Sequence, residues 1–364
     1  MTNKKDNFKE NTLDEYHFLK KKCSDHVTKY VSQSLEEMVQ DRSERSKYLV
    51  NAIHKKRDKS PRLREFIIEQ AYVACTKKEI PEDLYKIGAA IEVYNLSTYL
   101  VNWFLDKKGE LKDRADEQRA VIEGIRLYDK SKQMIRSTSI KESLKEKIIK
   151  ELEIVNNQIY LGQGDDVDRL NLRNNTHNLS EKTYIENYKE TCRRKCGYFL
   201  GFTARVGGYL AEADNNQIDS LSKFGIALGT GIQIVNDVAD NILAKEASSV
   251  ERPYQDQFSD IENGLITASI YSAIKKQPKI KDYLNKTLDS QEKLELYETL
   301  KRINAFDLPM HITRRLSENV AKKALKKTFN KNSRKYLSQM TAILCNSIIY
   351  NQLKYQGYKR KSLC

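Results

Sequence analysis

Two polar stripes on otherwise apolar stretches carry the chemistry of this sequence. In residues 224–241, FGIALGTGIQIVNDVADN, the residues Gly229, Gln233, Asn236, Asp237 and Asp240 recur at spacings of three and four. They therefore line one side of a helix. The remaining positions include Ile226, Leu228, Ile232, Val235 and Val238. Buried charge without a partner is costly, so this stripe must face water, a partner or a ligand. Asp237 and Asp240, at i and i+3, suit a hard divalent cation such as Mg²⁺, which takes oxygen ligands and often shares them with phosphate. Gly225, Gly229 and Gly231 allow close backbone approach on that helix. The second stripe lies in residues 81–106, PEDLYKIGAAIEVYNLSTYLVNWFLD, where Asn95, Tyr99, Asn102 and Asp106 follow one another at spacings of four, three and four.

Cations complete the picture. His54, Lys55, Lys56, Arg57, Lys59, Arg62 and Arg64 crowd just before an apolar run that begins at Phe66. Arginine suits bidentate phosphate contacts, and a helix N-terminus adds backbone donors. Anionic, phosphorylated ligands are the chemistry that fits such a set.

These segments, in this order, resemble the trans-isoprenyl diphosphate synthase (polyprenyl synthetase) family. GTGIQIVNDVAD is similar to its second aspartate-rich region, GxxFQxxDDxxD, with Asn236 in place of the first aspartate. AAIEVYNLSTYLVNWFLD is similar to AAxELxHxxxLxHDDxxD. Asp106 is kept, Asn102 and Trp103 replace the aspartate pair, and Asn95 replaces the histidine. SPRLRE, residues 60–65, stands where the family has GKRLRP, keeping Arg62 and Arg64; Pro61 takes the lysine's place and Lys59 is its nearest substitute. YLGQGDDVDRLN resembles the family's GQxxD turn through Gly162, Gln163 and Asp166. Residues 188–213 follow the YxxxxxxKTGxLF register, with Lys195 on the lysine and Cys196 on the threonine. RPYQDQFSDIENGLITASI resembles KPxGxDLxxGKxTLP, with Arg252 on the first lysine, Leu265 on the second, and Asp260, Gly264 and Thr267 in place.

The resemblance implies an all-α fold, an isoprenoid-synthase-type helical bundle around a central cavity. Apolar walls would hold a prenyl chain, and the two stripes would face each other at the mouth. It implies Mg²⁺ held by Asp106, Asp237 and Asp240, with Asn102 and Asn236 at the eroded positions. It assigns Lys195 and Gln233 to catalysis, and Arg62, Arg64, Asn95, Arg114 and Arg252 to the diphosphates of the substrates. Ser97 and Thr98 lie one turn before Asn102, where bulky residues shorten the product in the family; being small, they imply an open floor and a long bound chain. The reaction would be ionisation of an allylic prenyl diphosphate and elongation with isopentenyl diphosphate. Two alternatives follow from the lost aspartates and the weakened acceptor site: a non-catalytic, product-shaping subunit of a heteromer, or a diverged cyclase or prenyltransferase with another acceptor. A homodimer, or a heterodimer with another synthase subunit, is the expected assembly.

The elements that must position these residues are helices. Five prolines and 14 glycines in 364 residues leave few breakers, and three-and-four spacing dominates over strand-type alternation. Residues 1–45 are expected as a charged helical extension and 46–364 as the all-α domain. Charged residues at 31% and hydrophobic ones at 39% describe a globular chain. A net charge of +14 calls for anionic partners: phosphorylated substrates, or a membrane surface touched peripherally. No RNP, zinc-finger or zipper signature accompanies it, which argues against nucleic acid. The acids at 165, 166 and 168 lack EF-hand spacing, so no Ca²⁺ loop is expected. Six cysteines without a CxxC pair read as reduced thiols of a cytoplasmic protein. No apolar run approaches about 18 residues, so no transmembrane helix is expected.

Overall fold

The computed structural model describes residues 3–40, 42–58, 63–105, 111–243 and 257–346. These form helices α1 (Asn3–Val39), α2 (Glu44–Asp58), α3 (Leu63–Cys75), α4 (Glu82–Leu105), α5 (Arg114–Arg136), α6 (Glu142–Asp168), α7 (Glu181–Cys192), α8 (Tyr198–Leu210), α9 (Asn215–Asp240), α10 (Ser259–Glu262), α11 (Ala268–Lys276), α12 (Ser290–Arg302), α13 (Asp307–Arg315), α14 (Lys322–Thr328) and α15 (Lys335–Asn346). Among the described residues there is no strand, only one antiparallel bridge between Asn171 and Leu265. The all-α expectation holds. No described helix is long and apolar enough to cross a membrane. Cys23, Cys75, Cys192 and Cys196 are free thiols.

The chain folds as two compact units, residues 1–152 with 203–218 and residues 153–202 with 219–364. In the first, α4 is the central element. Acidic Glu82 and Asp83 occupy its first turn, where the helix dipole favours negative charge. From Leu84 to Trp103 nearly every side chain is buried, the pattern of a helix covered on all sides. Helix α5 packs along its length, and α1, α2 and α3 cover the rest. Helix α1 joins this core through Tyr16, Cys23, Val27, Val31 and Leu35, a buried stripe at helical spacing. Two buried carboxylates tie α2 and the turn that precedes it to α5. Asp116 accepts from Arg45 Nε at 2.8 Å, the Lys112 N–H at 3.1 Å and Arg119 at 3.0 Å. Glu123 lies between Arg42 and Arg126, each at 2.8 Å.

In the second unit, α9 touches α8 and the turn that leads into it backbone to backbone. A Cβ on Gly225 would stand 2.3 Å from the Leu200 carbonyl oxygen, and one on Gly229 2.5 Å from that of Cys196. Only glycine permits this approach. Between α7 and α8 the five residues Arg193–Gly197 form a π-turn. An aromatic ladder runs beside it: Tyr271 stacks on Tyr184 at 3.8 Å, and Tyr184 on Tyr188 at 5.7 Å. One local expectation is corrected. Gly162, Gln163 and Asp166 do not form a turn; they sit within α6, which continues to Asp168 because no proline or capping glycine interrupts it. A Cβ on Gly162 would meet the Lys195 backbone nitrogen at 2.8 Å, so the glycine admits the π-turn against α6.

Candidate functional site

A narrow cleft in the second unit gathers side chains from α6, α7, the π-turn, α9 and the segment around α10. Helix α6 brings Asp166; α7 brings Tyr188 and Cys192; the π-turn brings Lys195; α9 brings Gln233 and Asp237. Asp260, Leu265 and Thr267 close the remaining side. That last segment is pinned by backbone pairing: Leu172 N–H donates to Gly264 O at 2.9 Å, and Ile266 N–H to Leu170 O at 2.7 Å.

Asp237 is held at both oxygens. The Tyr188 hydroxyl donates to Oδ2 at 2.6 Å, and Gln233 Nε2 donates to Oδ1 at 2.8 Å. Burial, then the neighbouring Asp260 carboxylate, push the Asp237 carboxyl up to about 7. Lys195 Nζ pairs with Asp166 Oδ2 at 2.5 Å. Burial works against the Lys195 ammonium, but Asp166 and Asp237 outweigh it and hold its pKa well above the usual lysine value. The Tyr188 phenol is raised far above its ordinary value by burial and then by Asp237, so it acts as a neutral donor. The Cys192 thiol, 4.0 Å from Asp237 Oδ2, is raised for the same two reasons and stays protonated. One ammonium thus stands among three carboxylates, Asp166, Asp237 and Asp260.

The sequence-predicted residues divide between the two units. Lys195, Gln233 and Asp237 meet in the cleft. Asn236, one residue from Asp237, points to solvent. Asp240 is buried and engaged elsewhere: it accepts from the Ser259 hydroxyl at 2.8 Å and the Asp260 N–H at 3.1 Å. It anchors the segment that presents Asp260 rather than lining the cleft. On α4, Asn95 is fully buried and donates to Glu92 at 3.1 Å, while Thr98 donates to the Asn95 carbonyl at 2.8 Å. Ser97 is buried, and Gly124 of α5 lies against its carbonyl. Asn102 is half-buried, and Trp103 is buried. Arg64 sits half-buried in the first turn of α3; Arg114 is the exposed first residue of α5. Arg62, Asp106 and Arg252 lie outside the described residues. Sequence reading did not single out Asp166, Tyr188 and Asp260 as site residues. The signal was present: each falls on a fixed position of a motif already in register.

The chain belongs to the polyprenyl synthetase family, whose model matches residues 47–303. A short chain isoprenyl diphosphate synthase of Methanocaldococcus jannaschii is 24% identical over 255 residues, 68% of each chain. A geranylgeranyl diphosphate synthase of Sulfolobus acidocaldarius is 22% identical over 281 residues, 71% of this chain and 80% of the relative. Among solved structures, a polyprenyl synthase from Caulobacter crescentus CB15 complexed with calcium and isoprenyl diphosphate is 17% identical. Its TM-score is 0.70, covering 89% of this chain and 98% of that one.

The residues of the cleft fit a hard divalent cation in donor type. Carboxylates are its preferred ligands, and the Asp237 oxygens each retain a lone pair beyond the bonds from Tyr188 and Gln233. Among the described residues, however, no three acidic, histidine or cysteine side chains already converge on one point. The cleft is small, about 10 Å³, room for one ion or water.

Proposed function

We propose that this protein is a cytoplasmic, dimeric prenyltransferase that ionises an allylic prenyl diphosphate with Mg²⁺ and elongates it with isopentenyl diphosphate. One observation carries the reading. Lys195, bound to Asp166, and Asp237, held by Tyr188 and Gln233, meet in one cleft with Asp260, on the family's lysine and aspartate positions. A bound cation would neutralise charge developing on the departing diphosphate. Asp237, Asp166 and Asp260 are the residues of the cleft that would hold it. Asp106 and Asn102 remain the expected contributors from the first motif, and Arg62, Arg64, Arg114 and Arg252 the expected contacts to the diphosphates. Lys195 commits one of its three donors to Asp166 and keeps two for a phosphate oxygen. Its positive charge is fixed by the surrounding carboxylates, so it stays an ammonium through the reaction. Gln233 keeps Asp237 oriented while the tyrosine closes the other side.

A second reading has its own support. Trp103 is buried at a position where the family carries a carboxylate, and Asn236 is exposed where it carries another. A non-catalytic, product-shaping subunit would tolerate both. Labelled allylic diphosphates with Mg²⁺, with and without isopentenyl diphosphate, separate the two. Elongated product that disappears in Lys195→Ala supports the enzyme. Binding of the diphosphate without turnover, in the presence of Mg²⁺, supports the subunit.

A further inference from the structure

The net charge of +14 is not spread along the chain. No aspartate or glutamate follows Glu318, and the 46 residues after it contain 11 lysines and arginines. The preceding 318 residues are almost balanced, with 53 basic and 50 acidic side chains. The described part of this basic stretch folds on the second unit as α14 and α15, preceded by α13 and a π-turn, Leu316–Ala321. Its apolar side is anchored: Ile312, Ala321, Leu325 and Phe329 are buried, and the Thr328 hydroxyl bonds to that of Ser220 on α9. The other side exposes Arg315, Lys323, Lys326, Lys327 and Lys331. Arg314 approaches Glu318 at 3.7 Å, but among the described residues no ion pair compensates the other five. Val320, 43% exposed, lies between them.

We infer that this helical face docks on an anionic lipid bilayer. Lys323, Lys326 and Lys327 on one face of the anchored α14, flanked by Arg315 at the end of α13 and Lys331 just beyond α14, with Val320 among them, form a surface complementary to a sheet of negative headgroups. Lysines predominate, and they act as point charges rather than as the bidentate forks that read bases or phosphates. Among the described residues no large exposed aromatic is interleaved, as base stacking requires. The choice of lipid over nucleic acid also rests on the proposed activity, because a prenyl diphosphate partitions to a bilayer surface, tail inward and head in water. No described helix is long and apolar enough to cross a membrane; the inferred contact is a surface one.

The test is co-sedimentation of the full chain, without substrate, with vesicles of phosphatidylcholine alone or mixed with phosphatidylglycerol. Binding should need phosphatidylglycerol and vanish at high salt. The triple variant Lys323→Gln, Lys326→Gln, Lys327→Gln should lose about five-fold per lysine, about 100-fold in all. A control triple, Lys275→Gln, Lys279→Gln, Lys286→Gln, makes the same charge change on other exposed lysines and should bind nearly as the wild type. Equal binding to both vesicle types, equal losses in the two triples, or tighter binding to duplex DNA or RNA at the same salt would overturn the inference. Because no turnover is read, vesicle binding with an inactive enzyme would fault the proposed activity and not the docking face.

Discussion

Tyr188→Phe isolates the bond that shapes Asp237. The phenylalanine keeps the buried ring and its stack on Tyr184 and removes only the hydroxyl that donates to Oδ2 at 2.6 Å. A hydrogen bond to a charged acceptor contributes ~1.5–3 kcal/mol and one to a neutral group ~1 kcal/mol, so the cost depends on the charge of Asp237. Its folded pKa is raised to about 7, against about 4 in an unfolded chain. The folded state therefore holds that proton more tightly. The stability it confers is complete below about pH 4 and is lost as pH rises through about 7. Tyr188 offsets part of that loss, because it bonds the charged form. In EDTA, Tyr188→Phe should cost ~1 kcal/mol at about pH 5 and ~2–3 kcal/mol at about pH 9. Urea unfolding at the two pH values gives both numbers. A loss independent of pH, or one that persists unchanged in an Asp237→Asn background, refutes the reasoning.

Other perturbations probe the scaffold. Gly229→Ala puts a methyl 2.5 Å from the Cys196 carbonyl, and should lower stability by ~1–3 kcal/mol as α8 and α9 are forced apart; a thermal melt at wild-type level would contradict the seam. Asp116→Asn breaks a buried pair with Arg45 and should cost ~3 kcal/mol at neutral pH. Its arginine and backbone partners hold the Asp116 carboxyl well below the usual range, so that stability is present above about pH 4 and lost as pH falls; unfolding at acid pH should no longer separate variant from wild type. Trp103→Asp places a charge in the α4 core and should unfold the first unit, whereas Asn102→Asp, at a half-buried site, should melt normally. The melting temperatures of the two variants decide this, and higher turnover in Asn102→Asp would mark a metal-limited enzyme.

The helices were legible because their signals are local. Apolar periodicity marked α4 and α9, and the small residues at 225 and 229 foretold a close crossing. Asp237, Gln233 and Lys195 were legible as a group because helical spacing and motif order both pointed to them. Asp260 is a different case. Its place beside Asp237 is set by Asp240, whose carboxylate grips the returning chain at Ser259 and the Asp260 N–H, and no spacing along the sequence encodes that grip. The i, i+3 spacing of Asp237 and Asp240 gives the face of each residue and not its partners, which for Asp240 are the Ser259 hydroxyl and the Asp260 N–H. The continuation of α6 through Gly162 was hidden for a related reason: a glycine that elsewhere ends helices is used here to admit Lys195.

The π-turn at Arg193–Gly197 makes α7 and α8 one rod with a slipped phase. Each residue of an α-helix advances the next by about 100°, and the wider turn changes that count once. The face that serves the cleft, with Tyr188 and Cys192, is thereby decoupled from the face that serves the seam with α9, with Gly197 and Gly201. One rod carries two surfaces in different registers, joined at the lysine. Losing one residue from this turn would restore uniform winding and rotate everything beyond it by about 100°. Either Lys195 would leave Asp166, or the glycines would leave α9. Arg194, which reaches the buried Asp165 at 3.1 Å, and Cys196, which is buried, are set by the same winding; the constraint is on the number of residues between Cys192 and Tyr198.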